Sequence, residues 1–267
     1  LPSMFVGQYA ERDAEATLKL WQRMKIELNK EEAWQVFDIE TKLFPCLVDM
    51  RFKGVRVDLE KAEKTKQYLI NEEKKLLFKI KELSGVDVEL WAAASIAKAF
   101  DALKLPYDKT EKTSAPSFTR NFLANHPHEI AQCIATAREI NKAHTTFIDT
   151  IVKHSHKGRI HADINQIRSD DGGTVTGRFS MSNPNLQQIP VRHKELGPLI
   201  RSLFIPEENH KWGVFDYSQQ EPRILIHYAK LQRLDGINEI AEAYESGEAD
   251  FHAAVAKMAG IERSQAK

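Results

Sequence analysis

Asp216 closes a short apolar run, Trp212-Gly213-Val214-Phe215, in the stretch W-G-V-F-D-Y-S-Q-Q-E-P-R that spans Trp212–Arg223. Apolar residues ending in a single acid read as a buried strand with a carboxylate at its tip. Pro222 suits the first turn of a following helix, and its ring biases Glu221 toward an extended backbone. A carboxylate at a sheet edge, just ahead of a helix mouth that carries a second acid, is a place for a divalent cation. Near the end of the sequence Arg263 and Lys267 stand four positions apart. On a helix they face one way, and two cations on one face fit a run of phosphates. The plainer alternatives are a helix cap for Asp216, a dipole-stabilised surface acid for Glu221 and a solvated basic face for Arg263 and Lys267.

The elements that must position these groups are mostly helical. Asp13–Leu28 carries Leu18, Trp21 or Met24, and Leu28 on one side of a helix. A second helix is expected over Glu31–Phe52, interrupted near Pro45 and stopped at Gly54. Asp58 is a good N-cap for a third, and Glu60 suits its first turn. Ala62, Leu69, Leu76 and Leu83 then recur every seventh residue, a narrow seam on a long arm that Gly85 ends. Lys109–Ser117 reads as a polar loop without periodicity. His128–Lys153 is amphipathic, with Ile130, Ile134, Ala137, Phe147, Ile148 and Ile151 inward. From Arg159, R-I-H-A-D-I-N-Q-I alternates apolar and polar residues as a half-buried strand, and Ser169–Gly173 is a turn. His154, His156 and His161 flank the Lys157-Gly158 turn without a cysteine or acid to complete a zinc set, so they read as solvated.

The chain of 267 residues can hold one large domain or two small ones. Its 38 basic and 38 acidic residues cancel, so any phosphate-binding face must come from local clustering. Cys46 and Cys133 sit in apolar helical surroundings and read as packed thiols rather than a disulfide, which points to an intracellular, cytoplasmic setting. No apolar run is long enough to span a bilayer, and the first residues lack the regions of a signal peptide.

The stretch D-Y-S-Q-Q-E-P-R resembles motif A of the family A (DNA polymerase I type) DNA polymerases, whose usual form is D-Y-S-Q-x-E-x-R. Three further stretches match in order: T-G-R-F-S-M-S-N-P-N-L-Q-Q-I-P at Thr176–Pro190, D-F-H at Asp250–His252, and R-S-Q-A-K at Arg263–Lys267. The wording is most similar to phage or phage-derived members. Ile and Leu are commoner than Gln220 and Pro222 at their positions in the family, which leaves the local packing open. Y-A-E-R-D, Tyr9–Asp13, resembles the last motif of the family's 3′–5′ exonuclease; the three carboxylates that would complete that site have no counterpart here.

The resemblance implies an α+β fold of right-hand type. Residues 1–30 would be an exonuclease-domain remnant, 31–158 a helical thumb, and 159–267 part of an antiparallel palm sheet with the start of the fingers. It implies template-directed transfer of deoxynucleotides (dNTPs) to a primer 3′-hydroxyl, with primer–template DNA as partner and two Mg²⁺ ions as cofactor. Two metals of this kind stabilise the attacking and leaving oxygens. By the same resemblance Asp216 is a catalytic metal ligand, joined by the backbone carbonyl of Tyr217. Glu221 is the gate against a ribose 2′-hydroxyl. Gln219, Glu221, His252, Arg263 and Lys267 meet the incoming nucleotide, while Asp250 caps the helix that carries His252. Arg178, Asn185 and Gln187 meet the DNA, where minor-groove contacts test pair geometry without reading sequence; turn chemistry is the alternative for Asn185 and Gln187. The family's motif C, His-Asp-Glu, does not occur, and the sequence ends inside motif B. The chain is therefore expected to be a fragment that is inactive alone. A non-catalytic primer–template-binding module and one half of a split polymerase are the alternatives.

Overall fold

Leu59–Ser84 forms the longest buried element, and the rest of the N-terminal unit is built along it. In the computed structural model the described residues are 3–168, 172–191, 193–247 and 249–266. Lys267 and most of the expected Ser169–Gly173 turn lie outside them. The chain divides into two compact units between His210 and Lys211.

The first unit opens with α1 (Ser3–Lys30) and α2 (Trp34–Lys53), which meet through Trp21, Trp34 and Phe37. Trp21 and Leu28 are half-buried, whereas Leu18 and Met24 face outward. Two expectations fail on α2. Pro45 sits inside the helix without interrupting it. Pro45 and Thr41, whose carbonyl loses its partner, are both exposed, so water can take up the orphaned oxygen. Cys46 is exposed rather than packed, because α2 buries only Leu47. Gly54 ends α2 at φ 64°, and a Cβ there would stand 2.7 Å from His161 Nδ1 and from the Ile160 carbonyl. The position therefore needs glycine.

After β1 (Val55–Arg56), α3 (Leu59–Ser84) starts at Asp58, whose carboxylate accepts from the Lys61 amide at 2.9 Å, as an N-cap does. It ends at Gly85 in the left-handed region, φ 71°, the usual conformation of a glycine after a helix. Then come α4 (Ala93–Ala102), β2 (Asp108–Lys109), β3 (Pro116–Ser117) and α5 (Arg120–Asn125). The expected featureless loop at Lys109–Ser117 is instead the tip of an antiparallel hairpin, closed by the Thr110 amide on the Ala115 carbonyl. α6 (Glu129–Lys142), a π-helical stretch (Ala143–Ile148) and α7 (Asp149–Lys153) run on as the expected amphipathic helix, capped by His128.

Two hydrophobic clusters share α3. Toward its start Ala62 and Leu69 pack with Ile148, Ile151, Ile160, Ile200 and Leu203. Toward its end Ile80 packs with Ile96, Phe100, Leu123, Ile130 and Ile134. Fully burying one such aliphatic side chain contributes about 1.5–3 kcal/mol. The seam is wider than the sevenfold spacing suggested: Ala62, Thr65, Leu69 and Ile80 are buried, and Glu73 is half-buried between them. His144 Nε2 donates to Glu73 Oε2 at 2.5 Å, and Asn141 Nδ2 to Glu73 Oε1 at 3.0 Å.

The expected strand from Arg159 is two strands. β4 (Ser155–His156) and β5 (Arg159–Ile160) form a sheet with β1 in the order β1-β5-β4, while β6 (Asp163–Asn165) pairs antiparallel with β7 (Ser180–Ser182). The break falls at His161, whose Nδ1 is bound to the Arg51 carbonyl at 2.8 Å, so the chain leaves one sheet for the other. His154 Nδ1 likewise meets the Thr150 carbonyl, which uses both rings on backbone oxygens. A 3₁₀ turn (Leu186–Gln188) and α8 (Leu196–Arg201) complete the unit.

The second unit holds α9 (Gln220–Leu231), α10 (Ile237–Glu245), α11 (Phe251–Ala259) and α12 (Arg263–Ala266). Its core is small: Ile237, Ala241, Tyr244 and Ala256 are buried. The apolar run before Asp216 is not the buried strand expected. Trp212, Val214 and Phe215 are exposed, Phe215 at 96%, and no strand is described in this unit. An apolar strand needs a neighbouring edge to satisfy its backbone groups, and every described strand pairs within the first unit. Glu221 is helical rather than extended, because it lies in the first turn of α9. Among the described residues no helix is long and apolar enough to cross a membrane.

Candidate functional site

In the second unit a turn, Ser218–Gln219, carries the chain from Asp216 into α9. Gln219 adopts the left-handed conformation at φ 54°, which is unusual for a residue with a side chain. Its carboxamide explains how the turn is held. Gln219 Nε2 donates to the Ala249 carbonyl at 3.1 Å, and Gln219 Oε1 accepts from the Phe251 amide at 2.8 Å. Arg223, one turn into α9, completes the clamp. Its Nε donates to the Ser218 carbonyl at 3.0 Å and its Nη1 to the Tyr244 carbonyl at 2.9 Å. Its guanidinium lies 5.6 Å from the Tyr244 ring centroid, within range of a cation–π attraction. The Tyr244 hydroxyl is buried without a hydrogen-bond partner among the described residues, and burial pushes its pKa up.

The turn so held projects Asp216 outward. Its carboxylate is exposed and makes no hydrogen bond or ion pair with the described residues. Tyr217 is exposed beside it. Glu221 is exposed in the first turn of α9, where the helix dipole favours an acid.

On the other side of the clamp Asp250 caps α11, with Oδ1 accepting from the Ala253 amide at 3.1 Å, as the sequence suggested. Its Oδ2 takes both the Nε and an Nη of Arg263, each at 2.7 Å. The Arg263 guanidinium, with the Ala253 amide after it, holds the Asp250 carboxyl below the usual aspartate range. His252 Nδ1 donates to the Ala266 carbonyl at 3.2 Å, which ties α11 to α12. Gln219, Asp250, His252 and Arg263 thus form one connected neighbourhood within this unit.

The remaining candidates lie in the first unit. Arg178 is exposed in a turn closed by Thr174 Oγ1, which donates to the Arg178 carbonyl at 2.6 Å. Gln187 Nε2 reaches back to the Phe179 carbonyl at 3.2 Å, so Arg178 and Gln187 flank one end of β7. Asn185 Oδ1 accepts from the Gln187 amide at 3.0 Å, which is the turn chemistry open to an asparagine there. Tyr9 and Asp13 are exposed on α1, one helical turn apart. No group of three or more His, Cys, Asp or Glu suited to a metal ion occurs among the described residues.

Residues 59–266 match the profile of DNA polymerase family A. A DNA-directed DNA polymerase of Pseudomonas phage M6 is 34% identical over all of this chain, which covers 43% of that protein. DNA polymerase DpoZ of Acinetobacter phage SH-Ab 15497 is 32% identical over the whole chain, 45% of its own length. DNA polymerase I of Geobacillus stearothermophilus is 34% identical over 84% of the chain and 26% of that enzyme. Among solved structures the polymerase domain of Pol1 from M. smegmatis, in complex with DNA primer-template and dNTP, superposes with a TM-score of 0.65 at 26% identity, covering 84% of this chain and 38% of that one. A helical arm carried on small antiparallel hairpins is the α+β fold of a polymerase domain. The chain belongs to DNA polymerase family A. It spans less than half the length of the phage relatives it matches.

The clamp is the part that sequence reasoning misses. Arg223 keeps the motif's register without a role attached to it, and nothing in the pattern singles out Tyr244. The signal available is an arginine four residues after Gln219, on the opening turn of the helix that follows it.

Proposed function

We propose that this chain supplies the thumb and part of the palm of a DNA-dependent DNA polymerase that adds deoxynucleotides to a primer 3′-hydroxyl, with residues 31–158 as thumb and 159–267 as palm and start of fingers. The observation that carries this reading is the carboxylate of Asp216. It stands free and exposed beside the clamped turn of the motif that the family resemblance singles out.

Asp216 and the carbonyl of Tyr217 are oxygen donors of the kind Mg²⁺ takes, and one or two carboxylates suffice for an ion that keeps several waters. Mg²⁺ held there would neutralise charge on the transferring phosphoryl group and favour ionisation of the primer hydroxyl. Asp216 is one carboxylate, and a two-metal site needs a second from outside the described residues. A second polypeptide, or further sequence of the kind the longer relatives carry, is the proposed source.

Glu221, an acid at the mouth of α9, is proposed to occupy the space of a ribose 2′-hydroxyl and so exclude ribonucleotides by steric clash. His252, Arg263 and Lys267 are the proposed ligands of the incoming triphosphate, with Gln219 holding the start of the helix that carries His252. Arg178, Asn185 and Gln187 are proposed to face the primer–template minor groove. Tyr9 and Asp13 are read as a trace of an exonuclease motif, without activity in this chain.

The test is primer extension with Mg²⁺ and deoxynucleotides, using this chain beside its Asp216→Ala variant, together with primer–template binding across a salt series. The expected outcome is salt-sensitive binding by both and extension by neither. Extension that Asp216→Ala abolishes would mean that a second metal ligand lies within this sequence. Absence of primer–template binding at low salt would remove the polymerase reading altogether.

A further inference from the structure

The Arg263 guanidinium, proposed above to meet the incoming triphosphate, is already engaged by a carboxylate of its own unit. Both Nε and Nη2 of Arg263 lie 2.7 Å from a single oxygen, Asp250 Oδ2. The other oxygen, Oδ1, accepts from the Ala253 amide in the first turn of α11. One carboxylate therefore satisfies two kinds of donor, a guanidinium and a helix-terminal amide, that also suit a phosphate group. The pair is reachable from solvent, with the Arg263 side chain 53% and the Asp250 side chain 33% exposed.

We propose that Asp250 acts as an internal competitor for Arg263: a triphosphate must displace this carboxylate from the guanidinium, and Asp250 thereby sets the affinity of the site. The inference rests on the reading of Arg263 as a triphosphate ligand. When a phosphate oxygen takes the Nε and Nη2 donors, Asp250 keeps its hydrogen bond from Ala253 and so remains the cap of α11. The exchange moves one side-chain pairing and leaves the helix intact. Before binding, the pairing also holds Arg263 at the N-terminal end of α11, next to His252, rather than loose in solvent.

The substitution that separates the two jobs of Asp250 is Asp250→Asn. Asparagine caps helices about as well as aspartate, and it removes the negative charge that competes for Arg263. The experiment is calorimetric titration of the full 267-residue chain with inorganic triphosphate at low salt, comparing wild type, Asp250→Asn, Arg263→Gln and the double variant. An exposed ion pair is weak, so Asp250→Asn is expected to bind about two- to fivefold more tightly than wild type. Arg263→Gln is expected to bind about tenfold more weakly, the scale of a hydrogen bond to a charged group. In the double variant the gain from Asp250→Asn should vanish. A gain of affinity cannot come from a damaged fold.

Unchanged or weaker binding by Asp250→Asn, with Arg263→Gln still impaired, overturns the competition and leaves Arg263 as a phosphate ligand. Binding that ignores Arg263→Gln, or no binding by any variant, overturns the triphosphate reading itself and the competition with it.

Discussion

Gln219 and Phe251 are joined across 32 residues by a hydrogen bond of 2.8 Å from the Phe251 amide to the Gln219 carboxamide oxygen. The same carboxamide donates to the Ala249 carbonyl, so one side chain bridges the approach to α11 on both of its hydrogen-bonding faces. This bridge couples the turn after Asp216 to the helix that carries His252. Gln219→Leu would remove both bonds while keeping most of the volume. At about 1 kcal/mol net for each bond, the second unit should lose about 2 kcal/mol of local stability. Amide hydrogen exchange at Phe251 reads this directly: its protection should fall, while amides of α3 keep theirs. Unchanged protection at Phe251 would show that the bridge does not hold the turn.

Which parts of this arrangement the sequence reveals depends on how local the determinants are. Asp58, Gly85 and Asp250 act on their own neighbours, by capping or by left-handed geometry, and all three are readable from residue type and position, whereas the His128 cap of α6 is not, because histidine is not a favoured N-cap residue. The seam of α3 is half readable. The sevenfold apolar set marks the helix face, but Glu73 on that face looks like an ordinary exposed charge. Its contacts with Asn141 and His144, 68 and 71 residues later, explain its burial. The strand expected before Asp216 fails for a related reason. Alternation and apolar content describe a strand's fitness for a sheet, and they do not supply the neighbouring edge. At the candidate site, residue types mark Asp216, Glu221 and Arg263, whereas the pairings of Gln219, Arg223 and Arg263 are long-range contacts that no local pattern encodes.

The Glu73–His144 pair is nearly enclosed, with side-chain exposures of 14% and 9%. Removing His144 leaves the Glu73 carboxylate with only its hydrogen bond from Asn141, and removing Glu73 leaves the His144 Nε2 without its acceptor. Truncating one member of such a pair costs about 3 kcal/mol or more, so His144→Ala should lower the urea midpoint of the first unit markedly. Replacing both, Glu73→Leu with His144→Leu, removes the carboxylate and the imidazole together, leaves only the half-buried Asn141 amide to turn to water, and should cost less than the single truncation. A double variant less stable than His144→Ala would show that the network gives more than the avoidance of a stranded carboxylate.

Glu207 takes two hydrogen bonds from Arg159 Nη2, at 2.6 and 2.8 Å, and faces Arg56 at 3.9 Å. The Arg159 hydrogen bond is the main reason its carboxyl lies below the usual glutamate range. A depressed folded-state pKa stabilises the fold above the unfolded-state value, and that stabilisation is lost as the pH falls through the folded-state value. The wild type should therefore lose stability in acid at this site, below the ordinary glutamate range, while Glu207→Gln has nothing there to titrate. Urea unfolding at pH 7 and pH 3 tests the difference: the gap between wild type and Glu207→Gln should narrow as the pH falls. A gap that is constant with pH would assign the effect of the substitution to packing alone.

Asp216 is the converse case, a residue whose proposed importance leaves no mark on stability. Its carboxylate is exposed and makes no hydrogen bond or ion pair with the described residues, so its removal breaks no such bond of the fold. Surface substitutions of this kind usually fall within about 0.5 kcal/mol of the parent. Asp216→Ala should accordingly match the wild type in its urea midpoint and in the circular dichroism of its helices. Gln219→Leu, a few residues away, should not. A carboxylate that stabilises nothing and faces solvent beside a clamped turn is what the proposed metal-ligand role requires. A loss of more than about 1 kcal/mol in Asp216→Ala would instead give Asp216 a structural duty and weaken its claim as a metal ligand.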